Sequence, residues 1–281
     1  MTDPTTTTAA PATSETSTLR STAALIIIAI ARNAFREAVR DRVLYNLVLF
    51  VLLLIGGAIF LGELSAGQEA KIIIDLGLGA MLLFGVFIAI FVGVGLVYKE
   101  IERRTLYAIL SKPVGRGQFL LGKYIGLCAT LLVNVAVMGV GVSLALAYLD
   151  RSWNPLITKI WPAILLIYFE LAIITSVALL FSSFSSPALS ALLTFFVFVI
   201  GHFSGDLKAL ANSSSSVAAR LLFRALYYLF PNLSNYSAIT AASHGMVPDG
   251  RSIGMAVIYA MVYSAVVLAA ATLIFSRRNF K

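Results

Sequence analysis

The sequence predicts an all-α polytopic membrane protein with six transmembrane helices and an N-terminal in-plane amphipathic helix. Of its 281 residues, 59% are hydrophobic and 12% are charged, whereas soluble domains are about 45–50% apolar and about 25% charged. Its mean hydropathy is +0.93. The one cysteine, Cys128, excludes a disulfide scaffold, and with two histidines we expect neither a dedicated metal site nor another cofactor.

Six apolar runs are long enough to cross a bilayer, whose hydrocarbon core needs about 20 helical residues. The segment 182–186 between the fourth and fifth runs is so short that it predicts a tight helical hairpin, with Pro187 in the first turn of the next helix. The predicted spans are 43–61, 77–98, 120–148, 160–181, 187–203 and 255–275.

The distribution of basic residues predicts the orientation in the membrane. The N-terminal segment, the loop after the second span and the C-terminal tail together hold 14 of the 21 Lys and Arg residues, and the opposite side holds 7. Since cytoplasmic loops carry the excess of positive charge, both termini are expected in the cytoplasm, with the protein in the inner membrane. The basic residues flank spans and suit anionic lipids, so we expect no nucleic-acid partner.

The N-terminus reads as a disordered cytoplasmic tail over 1–19, followed by a transmembrane domain over 20–281. Residues 28–42 place apolar side chains on one helical arc and Arg32, Arg36 and Arg40 on the other. Such a helix is typical of one lying in the membrane interface, in contact with lipid headgroups. The alternative is a plain cytoplasmic extension of the first span.

The loop between the second and third spans contains the strongest local pattern. Residues 100–111 fit a short helix with acidic side chains in its first turn, where the helix dipole favours them, and Pro113 predicts its end. A charged helix across the cytoplasmic ends of two spans can transmit motion from a soluble partner. The alternative is an ordinary amphipathic loop at the membrane surface.

Three stretches carry a resemblance to a known family: REAVRDRVLY at 36–45, YKEIERRTLYAILSKPVGR at 98–116 and LGK at 121–123. Together they resemble type-2 ABC exporter permeases, most closely the branch for multicopper-enzyme and nitrous-oxide-reductase maturation. The resemblance implies export, a homodimer of this chain and two copies of a separate ATPase. It also implies that the loop helix docks on the ATPase through Glu100, Glu102, Arg103, Arg104, Thr105 and Leu106.

A partial nucleotide-binding pattern overlaps the start of the third span. Gly117, Gly122 and Lys123 fit the first part of the P-loop pattern, but Tyr124 stands where a magnesium-binding Ser or Thr belongs. An apolar span follows, and no strand is predicted before it. We therefore expect no enzyme activity in this chain and place the ATPase on a partner.

Polar residues within the spans are the other candidate sites, since polar groups in hydrocarbon are costly and often functional. Glu170 in the fourth span and Asn134 in the third could lie on a substrate path or gate. Alternatively they form helix–helix hydrogen bonds, for Glu170 with Thr175, Ser176 or a residue of the fifth span. His202 is expected to be an interfacial hydrogen-bond donor more than a ligand.

The segment 204–253 is the largest on the external side, and 217–230 predicts an amphipathic helix that ends at Pro231. Two other classes of function remain open from the residues alone. A secondary transporter or channel without an ATPase would use intramembrane carboxylates, of which Glu170 is one. A membrane-embedded enzyme is less favoured, because no catalytic constellation is visible.

Overall fold

The computed structural model describes residues 13–39, 49–50, 52–54, 56–57, 68–102, 115–150, 155–214 and 216–277. These residues form α-helices and one short 3-10 helix, with no strand among them. The helices are α1 (Thr13–Ala38), α2 (Glu69–Glu102), α3 (Arg116–Asp150), α4 (Leu156–Ser182), α5 (Pro187–His202), α6 (Ser204–Ser213), α7 (Val217–Leu229), α8 (Ile239–Ser243) and α9 (Gly250–Arg277), with the 3-10 helix at Ser234–Tyr236.

Four of these helices, α2, α3, α4 and α9, are long and apolar enough to cross a membrane. They contain the predicted spans 77–98, 120–148, 160–181 and 255–275, which are thus confirmed as long apolar helices. Helices α5 and α6 meet at a bend of 59° and together form a fifth candidate span. The predicted span 43–61 lies largely outside the described residues, so the total of six stays a prediction.

Helix α4 is the centre of the bundle and packs against α2, α3, α5 and α9. Two glycines of α2 allow α4 to approach α2 closely. An added Cβ at Gly85 would lie 2.4 Å from Leu171, and one at Gly93 would lie 3.3 Å from Ala178. Gly85 and Gly93 therefore lie at the close contact of α2 with α4, whereas Gly79 and Gly95 have open space beside them.

The turn between α4 and α5 is the tight hairpin that the sequence predicts. Helix α4 ends at Ser182, Ser186 caps the next helix with extended backbone, and Pro187 occupies its first turn. The backbone N–H of Ser185 donates to the carbonyl of Phe181 over 3.0 Å, which closes the turn. This short connection fixes α5 antiparallel to α4 and beside it.

Helix α1 begins at Thr13, inside the segment 1–19 for which the sequence predicts a disordered tail. Residues 13–19 contain no Pro or Gly, so nothing in them interrupts the helix. The predicted apolar arc is only partly packed. In this arc Ala38 is buried and Ala31 and Phe35 are partly buried, but Ile28 and Val39 are exposed. An orientation of α1 in the membrane plane stays a prediction.

The segment after α5 confirms the predicted helix before Pro231, because α7 covers Val217–Leu229. Ser216 precedes α7 with extended backbone but makes no side-chain capping hydrogen bond. Helix α7 packs mainly on α6 and has no fully buried residue. From Leu233 to Ala242 the chain returns to the bundle, where Tyr236 and Ala242 are buried against α4 and its neighbours.

Candidate functional sites at the two ends of the bundle

One end of the bundle joins α1, the start of α3 and the end of α9, which border basic segments of the sequence, and we call it the basic end. Ala34 of α1, Phe119 of α3 and Phe275 of α9 share one hydrophobic cluster, and the two phenylalanine rings stack with centroids 6.4 Å apart. The exposed Arg32 and Arg36 of α1 lie near this cluster along the chain. Arg40 lies outside the described residues.

A buried lysine links α1 to α3 at the basic end. The Nζ atom of Lys123 lies 3.8 Å from Glu37 Oε2, and the Lys123 side chain is 1% exposed. The same ammonium lies 5.8 Å from the centre of the Phe119 ring, within range of a cation–π interaction. The lysine of the partial nucleotide-binding pattern therefore contributes to the junction between two helices.

Two glycines of α3 permit α1 to pack against it at close range. An added Cβ at Gly126 would lie 2.5 Å from the carbonyl oxygen of Ala31 and 2.7 Å from the Cβ of Ala34. At Gly122 it would lie 2.8 Å from Ile30. Glycines four residues apart lie on one helix face, and in membrane proteins this spacing is typical of close helix packing. We therefore regard α1 and the start of α3 as one packed unit.

The residues predicted to contact an ATPase lie mostly outside the described residues. Glu100 and Glu102 lie in the last turn of α2, whereas Arg103, Arg104, Thr105 and Leu106 are not described. The expectation that Glu100 lies in the first turn of a separate helix is therefore wrong. Nothing between residues 98 and 102 interrupts the helix of the second span, so α2 continues through both glutamates.

Glu170 and His202 form a polar pair in the bundle, in which the carboxyl is buried and the imidazole is partly exposed. The Nδ1 atom of His202 lies 3.0 Å from Glu170 Oε1, and the side chains are 22% and 1% exposed, respectively. Phe198 and Phe203 pack against the imidazole, with ring centroids 5.5 and 5.6 Å away. Of the partners considered from the sequence, the residue of the fifth span is therefore the one that Glu170 contacts.

The alternative partners of Glu170 are satisfied elsewhere. Thr175 donates to the carbonyl of Leu171 over 2.8 Å, and Ser176 donates to that of Ile173 over 2.7 Å. Asn134 donates through Nδ2 to the carbonyl of Thr130 over 2.9 Å. The buried Oδ1 atom of Asn134 has no hydrogen-bond partner among the described residues, so no hydrogen bond joins it to Glu170.

The pair stands where the fifth candidate span breaks. Helix α5 has 16 residues and is about 24 Å long at 1.5 Å per residue, shorter than a hydrocarbon core of about 30 Å. Its C-cap is Phe203, after which the chain bends into α6. Irregular backbone at such depth is tolerated where it is covered by protein or faces a water-filled cavity.

Asn232 organises the segment that covers this break. Its Oδ1 atom accepts hydrogen bonds from Ser204 over 2.8 Å and from Ser234 over 2.7 Å. Its Nδ2 donates to the hydroxyl of Tyr227 over 3.3 Å, and its backbone N–H donates to the hydroxyl of Tyr259 over 3.0 Å. One asparagine side chain and its amide thus connect α6, α7 and α9.

Tyr236 anchors the same segment to α9, since its hydroxyl donates to the carbonyl of Ala256 over 2.6 Å. Burial raises the pKa of Tyr236 above its ordinary value, and the nearby Tyr259 and Glu170 act in the same direction. Tyr236 therefore stays a neutral hydrogen-bond donor. We call the end of the bundle formed by α6, α7, α8 and the residues 231–238 the loop end.

Sequence reasoning missed three of these features. The spacing of Gly122 and Gly126 is a signal of close packing that is visible in the sequence. The partnership of Lys123 with Glu37 depends on how α1 folds back onto α3, which no local pattern reveals. Asn232 has no sequence signal at all, because its partners lie in three other helices.

The fold and these sites define a multi-pass helical membrane protein with a break in one span. A family model described as "ABC-2 family transporter protein" matches residues 28–280. "Probable ABC transporter permease protein NosY" from Pseudomonas aeruginosa is 30% identical over 246 residues, covering 79% of this chain and 86% of that protein. The protein of that name from Stutzerimonas stutzeri is 31% identical over 125 residues, covering 43% of this chain and 45% of that protein.

The chain belongs to the ABC-2 transporter family. It is a transmembrane permease subunit of an ABC transporter, and therefore a transport component. The interpretation as a secondary transporter or channel is set aside by this membership.

Proposed function

We propose that this permease works as a homodimer with two copies of a separate ATPase, and exports its cargo across the inner membrane. Family membership is the observation that carries the proposal, because an ABC permease takes its energy from nucleotide hydrolysis on another domain or chain. The sequence resemblance to maturation permeases implies a cargo needed for metalloenzyme maturation, and the relatives named NosY are themselves named as ABC transporter permeases.

The proposed orientation places the basic end in the cytoplasm, with both termini. Three segments that contribute to the basic side in the sequence, namely α1, the start of α3 and the end of α9, pack together in one cluster. Their convergence supports the orientation, since the positive-inside rule acts on loops that share one side of the membrane. The loop end would then face the external side.

The proposed contact with the ATPase is the segment from Glu100 to Leu106. It begins in the last turn of α2, and α2 packs directly on α4, the helix at the centre of the bundle. A push on the end of α2 would therefore reach the bundle core through rigid helix packing. The α4–α5 hairpin and α1 would be secondary contacts at the same end.

The proposed role of α7 is an interfacial helix on the external side. Its outward face is apolar and exposed at Val217, Leu221, Leu222 and Leu229, and Arg224 lies exposed at the edge of this face. An exposed apolar arc bordered by arginine is typical of helices that lie in the headgroup region. Such a helix could seal the outer end of the pathway until transport opens it.

Two measurements test this proposal. A tagged chain purified from its native membranes should bring an ATPase with it, and native mass spectrometry should show two copies of each. Single cysteines at the exposed Ser186 and Asn235, in a Cys128→Ser background, should react with an impermeant maleimide from opposite sides of the membrane. A chain that purifies as a functional transporter without an ATPase, or labelling of both cysteines from one side, would contradict it.

A further inference from the structure

The pair of Glu170 and His202 is built so that one residue controls the access of the other to solvent. Glu170 is 1% exposed, whereas His202, the last residue of α5 before the break into α6, is 22% exposed, so the imidazole is the more accessible member of the pair at the loop end. The second carboxyl oxygen, Oε2, is buried without a hydrogen-bond partner among the described residues. A proton reaching Glu170 from solvent would therefore pass by way of His202.

We propose that Glu170 and His202 form a proton-binding site open to the loop end, and that the number of protons it holds sets how firmly the break after α5 is held against the segment 231–236. This proposal rests on the proposed orientation in one respect. With the loop end on the external side, external acidity is what acts on the site.

With one shared proton the pair is neutral as a unit, as imidazolium with carboxylate or as imidazole with carboxylic acid. Removing that proton leaves a buried net negative charge, which is costly. Adding a second proton gives a carboxylic acid beside an imidazolium. The imidazolium N–H then donates to a neutral carboxyl oxygen, so the attraction between opposite charges is lost and the contact becomes weaker. Acid should therefore loosen the contact.

A weaker contact between His202 and Glu170 would affect the segment 231–236 through Gly201, the residue before His202. The carbonyl of Gly201 accepts a hydrogen bond from the N–H of Leu233 over 3.0 Å. An added Cβ at Gly201 would lie 2.7 Å from the carbonyl oxygen of Pro231, so the two backbones are in direct contact. On the other side of the break, Ser204 donates to Asn232. Both ends of the break are thus tied to the same short segment.

Few other titratable groups act on the pair. Asp206 of α6 acts electrostatically on His202, and Tyr236 of the 3-10 helix interacts with Glu170. Asp75 of α2 and Arg251 of α9 are exposed, and neither interacts with the pair in the described structure. Because no other buried charge in the described part of the chain acts on Glu170 or His202, protonation should change the pair itself.

Nitrogen NMR tests the proton site directly, because the chain has only two histidines. In purified chain labelled with ¹⁵N-histidine, the His202 ring signals should respond to pH in two steps, as expected for a coupled pair. Glu170→Gln removes the proton acceptor and should leave a single step. His244→Asn is the matched control that assigns the signals. Identical titration of His202 in the wild type and in Glu170→Gln would overturn the proton site.

Hydrogen exchange tests the link between the proton site and the break, and it needs no ATPase. The protection of the Leu233 amide, corrected for the intrinsic exchange rate at each pH, should fall about tenfold between about pH 8 and about pH 5. Glu170→Gln and His202→Asn should each abolish this pH response, whereas His244→Asn should keep it. A wild-type protection that does not change with pH, or a response that survives both variants, would overturn the proposal. Loss of ATPase binding would leave this result unaffected, so the two proposals fail separately.

Discussion

Lys123 of α3 and Glu37 of α1 form an ion pair across the junction of two helices, with Nζ and Oε2 3.8 Å apart. The lysine is almost fully buried while the glutamate is partly exposed. Taking a charge out of water is costly, so the benefit of the pair depends on keeping both partners. The relationship makes α1 an integral part of the bundle and gives an asymmetric prediction.

Glu37→Gln should destabilise the protein more than Lys123→Met. The first change weakens the partner of a buried ammonium, at a cost of about 1–3 kcal/mol, whereas the second removes the charge and keeps an apolar side chain beside Phe119. Thermal unfolding of the purified chain in detergent measures both. Arg36→Gln, at an exposed position of the same helix, is the control and should change little. A larger loss in Lys123→Met would mean that the charge itself stabilises the junction.

Gly126→Ala should displace α1 from α3 and lower stability by about 1–3 kcal/mol, because the new methyl group would overlap the backbone of Ala31. The effect of Gly122→Ala should be smaller, since its nearest neighbour is a side chain. Trypsin cleavage at Arg32 and Arg36 should become faster in Gly126→Ala. Gly79→Ala is the control, because open space surrounds that position. Equal behaviour of Gly126→Ala and Gly79→Ala would show that the helices are not packed this closely.

Asn232→Ala should loosen the loop end, because it removes the acceptor shared by Ser204 and Ser234 and the donor to Tyr227. Leaving such groups unpaired costs about 1–3 kcal/mol. The measurement is hydrogen exchange of residues 201–207 and 231–236, which should both speed up. Asn235→Ala changes an exposed asparagine of the same segment and should have no such effect. Unchanged exchange in Asn232→Ala would contradict the organising role of this residue.

Reversing charge in the proposed docking segment should weaken recovery of the ATPase about tenfold while the chain still inserts and assembles. The variants are Glu100→Lys with Glu102→Lys, and Arg103→Glu with Arg104→Glu. Co-purification from native membranes, scaled to the amount of permease, gives the measurement. Arg251→Glu at the loop end is the matched control and should bind the ATPase normally. Full binding by both double variants would place the contact elsewhere.

The sequence by itself determined the class of the protein and most of its helices. Apolar runs of about 20 residues form helices in a bilayer because each backbone group must be satisfied within its own segment, so hydropathy alone located α2, α3, α4 and α9. Local signals also predicted the hairpin before Pro187 and the end of α7 before Pro231, since proline restricts the backbone wherever it stands.

Only the tertiary structure decided which polar groups meet. Glu170 and His202 are 32 residues apart, and Lys123 lies far along the chain from Glu37. Their pairing depends on the angle and depth at which whole helices pack, which periodicity does not encode. The same holds for the break after α5, because the apolar run 187–203 continues to its last residue while the neighbouring segment 231–236 holds the helix end in place.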